Sequence, residues 1–261
     1  MIDSIRPTVV QVECDSPNGS SGSGFFANTN GIVATALHVV TLSDRHSLCA
    51  DVRVLTPLVA GPGNKTFMST SAKILAYDAL HDIALVLPAK NLLDKEEDKV
   101  RFGTMLGRPT FVFVKPRAAA TIDLRPLRDG EPVFASGYPL SLAILITTSG
   151  NVAGEEIQKL NVGGTELLEV YDVDMHINHG NSGGPVFSSR DGSVIGMVDA
   201  FRSADVEQSP APEGNAERLQ YNSGLGVIIP AKYIEKLVRD NPVIRPTDYH
   251  KSIPAPQSPP Q

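Results

Sequence analysis

Ser182 sits in His179-Gly180-Asn181-Ser182-Gly183-Gly184-Pro185, three glycines and a proline around one hydroxyl. Such a cluster alone makes an ordinary tight turn between strands. A serine hydroxyl becomes a nucleophile only when an imidazole takes its proton and a carboxylate holds that imidazole in the right tautomer. Two upstream residues supply those types: His38, at the end of the apolar "TALHVV", and Asp82, at the entry of the apolar "HDIALV". Each is unremarkable by itself. In the order His38, Asp82, Ser182 they form the set that acyl transfer needs. The glycines then gain a purpose, because N–H groups turned to one side of Ser182 form an oxyanion hole and residues without Cβ let a substrate backbone approach. Gly180 and Ser182 are the expected donors.

The same stretch satisfies G-x-S-x-G, the nucleophile elbow of a different hydrolase architecture. That pattern requires a helix directly after the serine and a histidine further on. Here Pro185 leads into the β-type "VFSS" and an Asp191-Gly192 turn, and the histidine that follows Ser182 is His250, in a proline-rich tail. The elbow is therefore rejected.

The elements that must carry these residues are short β-type runs separated by turns. The first third has six, at 7–14, 22–27, 31–37, 51–55, 71–77 and 82–87, and a second set lies at 131–139, 143–154, 165–175, 185–189, 193–201 and 224–230. No long helix separates them, which excludes βαβ units and predicts two antiparallel barrels. Residues 88–130, charge-rich and then Pro/Arg-rich, read as the connection between halves, with one or two extra strands around 111–115. A helix is expected after Pro230, where Ile234, Leu237 and Val238 recur at helical spacing. Residues 202–223 read as a long exposed loop and 241–261 as a disordered Pro-rich tail. The fold expected is all-β, two six-stranded antiparallel barrels and a C-terminal helix, divided as 1–115, 116–240 and 241–261.

Composition bounds the partners. With 261 residues and 41% hydrophobic content the chain can bury a sizeable core, and 23 basic against 29 acidic residues leave a net charge of -6 with no basic run to follow a phosphate backbone. Nucleic acid is not an expected partner. No uncharged apolar run approaches the roughly 18 residues of a membrane span, and the N-terminus lacks the form of a secretory leader. A cytoplasmic protein is the reading, with Cys14 and Cys49 expected to be reduced and buried. His176 and His179 are three apart, but no third ligand cluster supports a metal; neither metal nor cofactor is expected. His46 and His81 read as ordinary structural residues.

The matching stretches resemble a trypsin-like serine protease of the chymotrypsin fold, and most closely its HtrA-like branch, over roughly residues 8–240. "GSGFF" resembles the strand before the base, "GIVATALHVV" the segment that carries it, and "AYDALHDIALV" the segment that carries the acid. "ASGYP", "DVDMHINHGNSGGPVF" and "GLGVIIPAKYIEKL" resemble the family's second-barrel G-x-P, its serine loop and its closing strand and helix. The resemblance implies a serine endopeptidase acting through an acyl-enzyme, with His38 as general base, Asp82 as orienting acid, Ser182 as nucleophile and the site in the cleft between barrels. It also implies an S1 pocket lined by Ile177 and the 198–201 strand, including Phe201, favouring a small or medium apolar P1 residue. His176 or His179 would alternatively receive an acidic one.

Departures from the family set further expectations. Asn181 precedes the nucleophile where an aspartate would pair with a freed N-terminus, so activation by N-terminal cleavage is not expected. The remainder of the chain does not accommodate the PDZ domain that many HtrA-like proteins carry, and a monomer is favoured. His179 replaces a common proline and either lines the substrate cleft or stays in solvent. Asp199 falls near the acid; two carboxylates sharing a site would spoil its charge balance, so Asp199 is expected to point elsewhere. A peptide-binding or adaptor module on a protease fold is the alternative to a peptidase.

Overall fold

The computed structural model describes residues 2–59, 67–93, 99–105, 108–114, 117–161, 165–206 and 219–243. A four-residue helix, α1 (Ile2–Ile5), leads into the first set of strands: β1 (Val9–Cys14), β2 (Ser21–Phe26), β3 (Val33–Ala36), β4 (Val52–Val59), β5 (Phe67–Asp78) and β6 (Ile83–Pro88). They pair antiparallel in the order β1-β2-β3-β6-β5-β4, and β1 returns to β4 to close a six-stranded barrel. Val- and Ile-rich runs suit this arrangement, since branched side chains pack on a pleated surface. Phe25, Phe26, Ile32, Ile83 and Leu85 are fully buried in its core.

The region expected to connect the halves adds a hairpin to this barrel. β7 (Lys99–Met105) and β8 (Arg108–Val114) pair with each other, and β8 joins the end of β4 through Leu58↔Val114 and Val59↔Phe113. The chain then crosses between the barrels. The Ala120 N–H donates to the Phe26 carbonyl at 2.8 Å, and the Val194 N–H donates to the Thr121 carbonyl at 2.7 Å. One short segment is thereby stitched to both sides.

The second barrel is closed in the order β10-β11-β14-β13-β12-β9. Its strands are β9 (Pro132–Gly137), β10 (Ile146–Asn161), β11 (Thr165–Asp174), β12 (Pro185–Ser188), β13 (Val194–Val206) and β14 (Leu219–Pro230). Residues 202–206 and 219–223, read from sequence as loop, belong instead to a long β13–β14 ladder that runs out to Val206↔Leu219. Arg202 accounts for part of this extension: its Nε donates to Asp172 Oδ1 on β11 at 2.9 Å, and its guanidinium also pairs with Glu156 on β10. Residues 207–218 and the tail from 244 lie outside the described residues.

The expected C-terminal helix, α2 (Ala231–Asp240), follows Pro230 and buries Ile234. Tyr233 of α2 stacks on His81 of the first barrel, with ring centroids 3.7 Å apart. One correction concerns the cysteines. Cys14 and Cys49 form a disulfide with Cα atoms 5.7 Å apart. Their separation of 35 residues hid this in the sequence, because only barrel closure brings β1 beside the segment that follows His38.

Candidate active site

His38 lies on a single helical turn, Leu37–Val40, directly after β3. Asp82 ends the turn before β6 with φ 50, a left-handed conformation that Asp tolerates better than most residues. The turn is fixed from both ends. Asp78 Oδ1 accepts the N–H groups of Leu80 and His81 while its Oδ2 meets His81 Nδ1 at 2.6 Å, and the Asp82 carbonyl accepts the Leu37 N–H at 2.8 Å. His81 is thus structural, as expected. Held this way, Asp82 Oδ2 lies 2.5 Å from His38 Nδ1 and Oδ1 accepts the His38 main-chain N–H at 3.1 Å. One carboxylate fixes both the ring and its backbone. Burial opposes charge on His38, but the hydrogen bond to Asp82, aided by the charges of Asp82 and Asp199, outweighs it and raises the imidazole above its ordinary value.

Ser182 comes from the loop between β11 and β12, whose conformation is set by glycine. Gly180 has φ 92, and a Cβ there would stand 2.5 Å from the Tyr138 carbonyl oxygen. Gly183 has φ 81 and would press a Cβ to 2.2 Å from the Ser23 carbonyl oxygen of the first barrel. No side chain fits at either place. The His179 carbonyl accepts the Leu140 N–H at 2.7 Å. Since the peptide is trans, the Gly180 N–H points the opposite way. The N–H groups of Asn181, Gly183 and Gly184 are taken by the carbonyls of Asn178, Val198 and Asn181, whereas those of Gly180 and Ser182 meet no acceptor among the described residues. Two unclaimed donors flank the hydroxyl.

A cleft of about 590 Å³ gathers these parts; it is lined by His38, Asp82 and Ser182 together with Ile177, His179 and Phe201. Ile177 is buried, and His179 packs edge-on against Phe201 with centroids 5.4 Å apart, so this wall is largely apolar. His176 does not line the cleft. Ser182 Oγ donates to the Asp199 main-chain oxygen at 3.1 Å, not to His38.

One residue at the site turns otherwise than expected, and another was not foreseen. Asp199 was expected to point away, yet one polar atom each of His38, Asp82 and Asp199 lie within 4.8 Å of one another. The other is Ser23 of β2, fully buried, whose Oγ donates to the Gly180 carbonyl at 2.6 Å and accepts the Tyr138 N–H at 2.8 Å. The Ser23 N–H in turn donates to the Ser182 carbonyl at 2.8 Å. "GSGFF" marked the strand but not this duty.

The family model for the trypsin-like peptidase domain matches residues 22–197, spanning His38, Asp82 and Ser182. The chain belongs to that family. Among curated relatives, this trypsin-like peptidase chain is similar to serine protease HTRA1 of Xenopus tropicalis, 31% identical over 213 residues that make up 76% of this chain and 36% of the relative. It is also similar to Protease Do-like 1, chloroplastic, of Arabidopsis thaliana, 30% identical over 237 residues, 88% of this chain and 42% of that one. The chain thus spans less than half the length of either relative. In fold it matches the active form of the Rv3671c protease of M. tuberculosis, with TM-score 0.63 at 17% identity, over 94% of this chain and 85% of that structure. The chymotrypsin-like architecture and the HtrA-like character read from the sequence both agree with these likenesses.

Proposed function

We propose that the chain is a serine endopeptidase that cleaves peptide bonds through an acyl-enzyme intermediate. The observation that carries this reading is the 2.5 Å bond between His38 and Asp82 in the cleft that also holds Ser182. In the reaction Ser182 Oγ swings from the Asp199 carbonyl toward His38 Nε2, gives up its proton there and attacks the scissile carbonyl. Asp82 keeps the Nδ1 proton in place and offsets the imidazolium charge. The developing oxyanion takes the N–H groups of Gly180 and Ser182. His38 then protonates the leaving amine, and water repeats the sequence to release the acid.

The apolar wall of Ile177 and Phe201 supports a medium-sized apolar P1 side chain, with His179 at its rim. The disulfide weighs against the cytoplasmic reading, since such bonds persist in oxidising compartments. One feature favours the alternative, a binding module: the resting Ser182 hydroxyl faces a carbonyl and not His38. Profiling on a peptide library with the wild type and Ser182→Ala separates the two. A peptidase cleaves after apolar residues and loses this in the variant; a binding module retains peptides intact in both.

A further inference from the structure

Asp199 stands on β13, half-buried, and a carboxyl oxygen of Asp199, a carboxyl oxygen of Asp82 and a ring nitrogen of His38 lie within 4.8 Å of one another. Two carboxylates this close repel when both are ionised, and one proton held between them relieves that repulsion. Its holder follows from what else each group touches. Asp82 already accepts two N–H groups of His38, which favour its ionised form. Among the described residues, no N–H donates to the Asp199 side chain; its main-chain oxygen takes the Ser182 hydroxyl. We propose that Asp199 is a positioning residue that stands protonated behind Asp82 and donates its carboxyl hydrogen to it, so that a single negative charge backs His38 when the serine proton is taken. This rests on the peptidase reading above.

The surroundings agree. Burial first, then the charge of Asp82 and the shared hydrogen bond, push the Asp199 carboxyl up to about 7, while His38 and Arg45 pull it down. The remaining titratable groups of the cleft, His46 and His179, stand with Arg45 and His38 around it. The competent site therefore holds neutral His38 and protonated Asp199. Losing that second proton places two charges behind the imidazole, holds it as imidazolium to higher pH and removes the donor from Asp82. During the step itself only the Ser182 proton moves, to His38 Nε2; the Asp199 proton stays where it is.

The test is the rate of Ser182 labelling by a fluorophosphonate from about pH 5 to about pH 9, in wild type, Asp199→Asn and Asp199→Ala. The wild type should give a bell, falling on the alkaline side as Asp199 ionises. In Asp199→Asn, which donates an N–H and cannot titrate, the alkaline limb should vanish and the acid limb move to lower pH. Asp199→Ala, lacking any donor, should label about tenfold more slowly or worse at its best pH, and Asn should restore most of that loss. Infrared difference spectra, wild type minus Asp199→Asn near neutral pH, should show the carbonyl band of a protonated carboxyl that fades as pH rises. Superimposable profiles for wild type and Asp199→Asn, or the absence of that band, overturn the proposal. Should the wild type label at no pH, the peptidase reading fails and the infrared band alone decides where the proton sits.

Discussion

Ser23 Oγ of the first barrel donates to the Gly180 carbonyl of the second at 2.6 Å, and this contact sets the serine loop against β2, the neighbour of the strand that leads to His38. Both Ser23 and the Tyr138 N–H that it accepts are buried. Removing the hydroxyl leaves two main-chain groups without partners, at about 1–3 kcal/mol each. Ser23→Ala should lower the unfolding midpoint and reduce Ser182 labelling by more than the stability loss explains, because Gly180 is released from its pinned orientation. Denaturant unfolding and labelling rates on the same sample check both. Unchanged labelling in a destabilised but folded variant would confine Ser23 to a structural part.

Gly180→Ala tests the oxyanion geometry. The added Cβ meets the Tyr138 carbonyl at 2.5 Å in a left-handed conformation, so the His179–Gly180 peptide must turn. Loss of one donor of this kind costs about 10²–10³ in kcat. Peptide cleavage should fall by that factor while circular dichroism and substrate affinity change little.

The pH dependence follows from His38. Asp82 stabilises the imidazolium against the cost of burial, so the pKa lies above its usual value. The base is active only when neutral. Activity should therefore be lost as pH falls through a midpoint above about 6.5. Asp82→Asn removes the partner, which should shift that midpoint down and lower kcat about 10⁴-fold through the wrong tautomer. Measuring kcat/KM against pH for both proteins decides it.

The disulfide makes a separate prediction. Cys14 and Cys49 close a loop with a sequence separation of 35, worth about 3–4 kcal/mol by chain entropy. Cys14→Ser with Cys49→Ser, or reduction, should destabilise the chain by roughly that amount in a denaturant titration. The Cys49 N–H also donates to the Val40 carbonyl, two residues beyond His38. Reduction should then slow labelling as well.

Much of the fold was legible because most barrel strands carry short runs of β-branched or aromatic residues bounded by turn residues. Ser203, Asp205, Gln220 and Asn222 gave no such signal. They pair in the outer part of the β13–β14 ladder, where hydrophobic pattern is silent and cross-strand charges such as Arg202 with Asp172 contribute. His38, Asp82 and Ser182 were legible from residue type and order. Ser23 and the direction of Asp199 were not, since a serine in a glycine-rich strand and an aspartate within a strand read alike whether they face solvent or a partner. Charge balance argued that Asp199 would turn away; a shared proton removes that objection. The disulfide was hidden for a simpler reason, since pairing at such separation depends on the closed barrel.

Ser182 is the proposed nucleophile, activated by His38, whose ring Asp82 holds. Incubation with a fluorophosphonate followed by mass spectrometry of the digested protein tests it directly. The adduct should map to Ser182 in the wild type and be absent from Ser182→Ala and His38→Ala. A folded wild type that remains unmodified, or an adduct that persists in Ser182→Ala, would show that Ser182 is not the nucleophile.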